Sequence, residues 1–152
     1  MTEADARLAA QWEERYQEIY RTTPGGFLEW MAPRIEELDT ARNTLIVRFE
    51  TKNWMTNPRG AVHGGVIASM ADTATGMLSR IVGESQLGGP TVSLSVNYIR
   101  AVPLNESVLV RTVCQKSGRQ MIFLTCEAYL PGKPEEILFT AECTYLSGKV
   151  KV

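Results

Sequence analysis

One histidine in 152 residues narrows the chemistry open to this chain. It is His63, followed directly by Gly64 and Gly65. Any Ser–His or Cys–His nucleophilic pair has to use that single imidazole. Two glycines at the start of a helix let a ligand come close to backbone N–H groups that have no helical acceptor. Such groups carry partial positive charge and can hold a developing oxyanion. An ordinary flexible helix entrance would carry the same residues. Nine positions after His63 comes Asp72. A carboxylate held partly out of water interacts more strongly with whatever it touches and can serve as a base.

Asp72 stands in a segment with helical periodicity, Gly65 to about Ile81. At 100° per residue, Val66, Ile67, Met70, Ala71, Ala74, Met77, Leu78, Ile81 and Val82 fall within an arc of about 160°. The opposite arc carries Gly65, Ser69, Asp72, Thr75, Gly76 and Ser79, so Asp72 is its one charge. Two readings fit that arc. Its small residues suit close approach of another backbone, as at an interface. A mildly polar solvated face is the other reading, with Asp72 a surface charge.

The elements around this helix follow from period and punctuation. Residues 3 to 21 repeat Leu8, Trp12, Tyr16, Ile19 and Tyr20 at helical spacing, and Thr22 to Gly26 breaks the pattern. Residues 34 to 38 and 44 to 51 read as two strands about a turn, followed by a loop from Asn53 to Val62. After the central helix come four strands, at about 91 to 100, 106 to 116, 119 to 130 and 136 to 146. Their separators, such as Ser117-Gly118 and Pro131-Gly132-Lys133-Pro134, are good turn chemistry. The short turns predict antiparallel neighbours along these four strands. One antiparallel sheet with a helix on one face is an α+β architecture.

Composition sets wider bounds. Sixteen basic and seventeen acidic side chains leave a net charge of −1, which offers no global attraction to nucleic acid or an anionic membrane. No apolar run approaches the roughly 18 to 20 residues of a membrane span. The N-terminal stretch lacks the basic start and apolar core of a signal peptide, so a cytoplasmic location is expected. Cys114, Cys126 and Cys143 are odd in number, form no Cys-x-x-Cys pair and lie in strand-like segments. They read as buried free thiols, with neither a disulfide framework nor a metal site expected.

The segment from Asn57 to Asp72, NPRGAVHGGVIASMAD, resembles the signature of the PaaI-like hotdog thioesterases. That family places Asn or Gln six residues before the His and Asp or Glu nine residues after it. The strand TVSLSVNY, Thr91 to Tyr98, and Gly118-Arg119 in a later hairpin extend the resemblance over roughly residues 35 to 147. The resemblance implies a hotdog fold: a curved antiparallel sheet wrapped around a long central helix, here with an extra N-terminal helix. It implies a single domain over 1–152, with 1–30 as a helical extension and 34–147 as the core. It implies homodimers that pair again into homotetramers, with active sites between subunits.

The same resemblance implies roles. Gly64 N–H would polarise a thioester carbonyl, with Gly65 supporting that turn. Asp72 of the partner would activate water or attack the carbonyl. Asn57 would position substrate or water, His63 would hold the loop, and Ser93 would orient water. Gly65, Ser69, Arg100 and Arg119 are the expected substrate-binding positions. Any of Arg59, Arg100, Lys116 and Arg119 can instead be a solvated surface charge, and Trp12, Trp30 and Trp54 are either acyl-pocket walls or packing residues. The implied reaction is hydrolysis of an acyl-CoA to free acid and CoA, with no bound cofactor beyond the CoA of the substrate. A non-hydrolytic acyl-binding or regulatory module, and a hydrolase of acyl carrier protein thioesters, are the alternatives.

Overall fold

The computed structural model describes residues 1–22, 24–83 and 88–147. Thr23, within the expected helix break, and the last five residues of the expected domain lie outside the described residues. In chain order the elements are α1 (Glu3–Thr22), α2 (Phe27–Met31), β1 (Arg34–Asp39), β2 (Thr44–Glu50), a 3₁₀ turn (Asn53–Met55), α3 (Gly64–Val82), β3 (Thr91–Tyr98), β4 (Ser107–Ser117), β5 (Met121–Tyr129) and β6 (Phe139–Leu146). The expected helices and strands are present within a few residues of their predicted ends. The short α2 falls at the end of the expected helical extension, in a segment that the periodicity did not single out.

The strands form one antiparallel sheet in the order β1-β2-β4-β5-β6-β3. This corrects one expectation. β3 does not pair with β4, its successor in the chain, but crosses over to the far edge and pairs with β6. β4 takes the place beside β2, with Val47 opposite Val110 and Phe49 opposite Val108. The segment between Tyr98 and Ser107 is therefore a crossover and not a hairpin.

α3 packs against β2, β3, β4, β5 and β6. A helix that meets all of those strands is embraced by the sheet, which is the hotdog arrangement. Its apolar arc fills the core: Ile67, Met70, Ala71, Ala74, Met77 and Leu78 are buried. They meet the inward side chains of the alternating strands, among them Val47, Phe49, Val110, Leu124, Phe139 and Ala141. Cys126 and Cys143 belong to the same core, Cys114 is half-buried, and all three are free thiols. Burial pushes the Cys143 thiol up to about 11 and Cys126 higher still, so neither is a thiolate at neutral pH.

The small-residue arc divides in a way the period did not predict. Thr75 and Ser79 are buried within the chain, while Gly65 is exposed and Ser69, Asp72 and Gly76 are only partly covered. α1 lies along β1, with Ala9, Tyr16 and Tyr20 buried beneath it. No helix among the described residues is long and apolar enough to cross a membrane.

Candidate active site

The entrance to α3 is a helix start held from several directions. His63 is its N-cap, with extended backbone, and its Nδ1 accepts a hydrogen bond from Gly65 N at 3.0 Å. The His63 N–H donates to Met55 O at 2.7 Å and its carbonyl accepts from Val66 and Ile67. His63 thus ties the loop to Met55 and caps the helix. Gly65 N is spent on that cap. Among the described residues no acceptor meets the N–H of Gly64. The Gly64 carbonyl accepts from the Tyr98 hydroxyl at 3.1 Å, which ties the helix start to β3.

Asn57 builds the loop before this entrance. Its Oδ1 accepts from Arg59 N at 2.8 Å and Ala61 N at 3.2 Å, its Nδ2 donates to Val62 O, and its backbone closes a turn through Ala61 O and Gly60 N. Gly60 takes φ of +78° in that turn, where an L side chain would be strained. The polar groups of the Asn57 side chain all serve the loop that presents His63 and Gly64.

Asp72 lies in the middle of α3, half-buried. Its Oδ1 accepts from the Thr91 hydroxyl at 2.8 Å and the Tyr145 hydroxyl at 2.9 Å. The Tyr145 hydroxyl also lies 2.7 Å from the backbone carbonyl of Asp72 and 2.9 Å from Thr75 Oγ1. Burial pushes the Tyr145 phenol well above its usual range, so it remains a donor. Thr91 and Tyr145 are opposite one another in the β3–β6 ladder, so one rung of the sheet supplies both donors. Both bonds fall on Oδ1, and among the described residues no hydrogen bond reaches Oδ2. The carboxylate borders a cavity of about 210 Å³ that Tyr16, Tyr20, Leu28, Met77, Arg80 and Gly89 also line. A Cβ on Gly89 would stand 1.9 Å from Leu146 O, so only glycine lets the chain enter β3 at this point.

The remaining expected positions are scattered. Ser93 pairs with Thr144, on the outward face of the sheet, and the fold does not bring it to Asp72. A register shift between Thr91 and Ser93 is the reason: the irregularity turns Thr91 inward and Ser93 outward. Ser69 Oγ bonds back to Gly65 O at 2.9 Å on the helix itself. Arg100 donates to Ile137 O at 2.5 Å and stays exposed, and Arg119 is exposed in the β4–β5 turn. Trp12 packs on Tyr16 with ring centroids 5.9 Å apart and lines a separate cavity of about 530 Å³ with Leu38, Leu78 and Ile81. Trp30 and Trp54 are exposed against each other. Thr91 and Tyr145 escaped sequence reasoning, although the inward alternation of Phe139, Ala141, Cys143 and Tyr145 was legible. Among the described residues, no group of three His, Cys, Asp or Glu side chains converges as a metal ligand set would.

An antiparallel sheet around a long helix, with a mid-helix carboxylate and a glycine-led helix start, defines a hotdog protein of the thioesterase kind. A family model described as "Thioesterase superfamily" matches residues 59–137, and this chain belongs to that superfamily. The chain is 29% identical over 89 residues to acyl-coenzyme A thioesterase THEM4 of Xenopus laevis, a match covering 57% of this chain and 38% of that one. It is 25% identical over 81 residues to acyl-coenzyme A thioesterase THEM5 of Homo sapiens, covering 53% and 32%. It therefore spans only about a third of the length of either relative. Among solved structures it is similar to thioesterase superfamily member 2 of Mus musculus, with a TM-score of 0.76, 17% identity, and 93% and 98% of the two chains covered. It is likewise similar to a mutant of phenylacetic acid degradation protein PaaI of Thermus thermophilus, with a TM-score of 0.68, 20% identity, and 79% and 96% covered. A thioesterase protein of Streptococcus pneumoniae solved with coenzyme A gives a TM-score of 0.66 at 21% identity, with 78% and 91% covered. At these identities the structural likeness shows the fold.

Proposed function

We propose that this protein hydrolyses an acyl-CoA thioester to a free acid and CoA, with Asp72 and the Gly64 N–H as its reacting groups. The observation that carries the reading is the Asp72 carboxylate. It sits mid-helix beside a cavity, with one oxygen fixed by Thr91 and Tyr145 and the other free to act. The acyl-coenzyme A thioesterases among its relatives support the substrate class.

The proposed site needs two chains. Gly64 and Asp72 are eight residues apart on α3, which is about 12 Å along the helix axis. A donor and a base must both stand about 3 Å from one reacting carbonyl or its water. Within one chain they cannot do so, and an antiparallel second copy can bring its Asp72 to the first copy's Gly64. The free edge of β3, whose Thr91 bonds Asp72, is the natural seam for that second copy.

At the site, the Gly64 N–H donates a hydrogen bond to the carbonyl oxygen and stabilises the negative charge that builds on it as the carbonyl is attacked. Water attacks the carbonyl carbon and gives its proton to Asp72, the tetrahedral intermediate collapses, and the C–S bond breaks. The CoA thiolate leaves and takes up a proton. Direct attack by Asp72 expels the CoA thiolate and gives a mixed anhydride, which water then opens at the Asp72 carboxyl carbon. Single turnover in ¹⁸O-water separates the routes, because only direct attack places an unlabelled enzyme oxygen in the first product acid.

The test is thiol release from a panel of acyl-CoAs by the wild type and Asp72→Asn. The variant keeps the side-chain shape and loses the base, and kcat/KM falls by about 10²- to 10⁴-fold. Wild-type turnover in a folded Asp72→Asn protein would sink the mechanism. CoA-thioester binding without turnover by the wild type would favour the acyl-binding module.

A further inference from the structure

Three aromatic rings stand in water on the elements that lead to the entrance of α3. Trp30 on α2 is 56% exposed, Trp54 on the 3₁₀ turn 44%, and Phe27, three positions before Trp30, 50%. A single exposed ring is ordinary, but several together mark a contact surface. α2 does not need them for its own anchoring: Leu28 and Met31 pack against the core, Met31 with no exposure at all. Trp30 and Trp54 hold each other edge-on, with ring centroids 6.0 Å apart and planes at 66°. An edge-on pair fixes two rings and leaves faces of both open to a third.

These rings are tied to the proposed oxyanion donor. Met55, next to Trp54, takes the His63 N–H on its carbonyl at 2.7 Å, and Thr56 bridges to Val62. Bond lengths along that path put the Cα atoms of Trp54 and Gly64 within about 15 Å of each other. The charge on this segment has one sign. From Thr51 to Ala71 the chain carries Lys52 and Arg59 and no carboxylate. Both cations are exposed, and among the described residues neither forms an ion pair. Lys52 Nζ lies 3.4 Å from the Trp30 carbonyl, so its charge stands at the rings. Glu29, beside Trp30, is turned back onto the Gly25 N–H.

Open aromatic faces beside cations suit a base that is followed by phosphates. From this geometry we infer that Trp30 and Trp54 form the stacking platform for the adenine of coenzyme A, with Lys52 and Arg59 supplying charge to its phosphates. The pantetheine arm bridges from the platform to Gly64. The inference rests on the thioesterase reading for its ligand. It extends that reading by choosing the substrate: a free nucleotide thioester, and not a carrier-protein thioester, whose phosphopantetheine has no adenine. A second copy of the chain is the other occupant that exposed rings suit. At about half exposure, three side chains of roughly 150 to 250 Å² each offer only about 300 Å², against about 800 Å² per partner in a stable interface.

The test uses the full chain and two thioether probes that cannot be hydrolysed, S-hexyl-CoA and S-hexyl-4′-phosphopantetheine, which lacks the adenosine. Calorimetry gives their Kd values for the wild type, Trp30→Leu and Trp54→Leu, variants that keep an apolar side chain and lose the π face. Hexanoyl-CoA is assayed in parallel for thiol release. The expected result is a Kd at least tenfold tighter for S-hexyl-CoA than for the shorter probe in the wild type. At least one Leu variant weakens S-hexyl-CoA by about five- to a hundredfold, the range for losing one base–ring stack, and changes the shorter probe by twofold or less. Equal affinities in the wild type, no binding of either probe, or S-hexyl-CoA binding unchanged in both variants overturns the inference. Variants that weaken both probes alike overturn it too, and a fall in mass by light scattering then makes the rings a contact between copies. A CoA preference that a Leu variant abolishes, with no thiol release from hexanoyl-CoA by the wild type, upholds the platform and overturns the hydrolase reading alone.

Discussion

The two edges of the sheet are built by different rules. β1 is guarded. Its Arg34, Glu36 and Glu37 are charged and exposed, and a register shift interrupts its pairing between Ile35 and Glu37. α1 also leans on it: Glu13 accepts from the Ile35 N–H at 2.9 Å and from Arg34 at 2.8 Å. Glu36 and Arg48 form a two-pronged ion pair beside it. Charges, irregularity and a covering helix are the devices that keep an edge strand from recruiting another strand. β3 has none of the charges. It reads Thr-Val-Ser-Leu-Ser-Val-Asn-Tyr, its outer edge has no strand partner among the described residues, and Val92 and Tyr98 are 51% and 56% exposed. The unguarded edge is also the one that touches the proposed site, since Thr91 holds Asp72 and Tyr98 holds the Gly64 carbonyl. One edge is made to stay alone, and the other has the composition of a seam.

The largest effect should come from treating β3 like β1. Ser95 is exposed, at the middle of the strand, with its side chain on the outer face of the sheet. Across a two-fold axis through an antiparallel β3 pair, a charge there meets its own copy, and like charges directly opposite are unfavourable. Ser95→Lys is expected to give a monomer by light scattering at micromolar concentration, and to cut thiol release by about a hundredfold or more because the donor and the base are then on separate molecules. Glu37→Lys on β1 is the control and leaves the mass unchanged. A Ser95→Lys protein that keeps both wild-type mass and wild-type rate would dissolve the distinction between the edges.

A finer test asks whether the seam joins two halves of one site. Gly64→Pro removes the N–H and preserves the helix start, since proline suits the first helical position and His63 is already extended. The nearest atoms a Cβ at Gly64 would meet belong to the Tyr98 side chain, at 3.5 Å, an ordinary contact. Loss of one oxyanion donor costs about 3 kcal/mol, or a rate loss of about a hundredfold. Mixing and refolding equal amounts of Gly64→Pro and Asp72→Asn chains puts both lesions in one site of each mixed dimer and leaves the other site whole. Random pairing then restores about a quarter of the wild-type rate. No recovery above the two parents would place both groups in a site within one chain.

How much of this was legible follows the range of each signal. α3 was read almost to the residue because a helix writes its buried face every three to four positions. The strand segments were read because pleating alternates side chains. Strand partners carry no such mark. Nothing in Thr91 to Tyr98 says that it pairs with β6, forty residues on, and not with β4 next in line. The same limit hid the support of Asp72. Ser93 was expected near it, but one shifted register between Thr91 and Ser93 exchanges the faces and gives the contact to Thr91. Tyr145 lies 73 positions from Asp72, beyond any local pattern. Thr75 and Ser79 share an arc with Asp72, yet only the packed structure reveals that they are buried inside the chain.

The smallest effect concerns how α1 is fastened to the guarded edge. Thr2 and Asp5 cap the helix reciprocally: Thr2 Oγ1 accepts from the Asp5 N–H at 3.1 Å, and Asp5 Oδ2 accepts from the Thr2 N–H at 3.2 Å and its hydroxyl at 2.7 Å. Asp5 Oδ1 reaches the β1–β2 turn, accepting from the Thr40 hydroxyl at 2.6 Å and its N–H at 3.2 Å. Hydrogen bonds from Thr40 first, and from Thr2 next, hold the Asp5 carboxyl well below the usual carboxylate range. The sign follows from proton counting. The unfolded chain binds a proton at Asp5 near pH 3.9, and the folded chain does so only at lower pH. The contribution is complete above about pH 4 and is lost as pH falls through the folded value. Asp5→Asn should therefore melt a few degrees below the wild type at pH 7, with the gap in Tm narrowing steadily below about pH 4. β3 has no such carboxylate clasp, so Ser95→Lys should show no matching change in slope. A gap that stays constant from pH 7 to pH 2.5 would mean that the charge on Asp5 does not fasten α1.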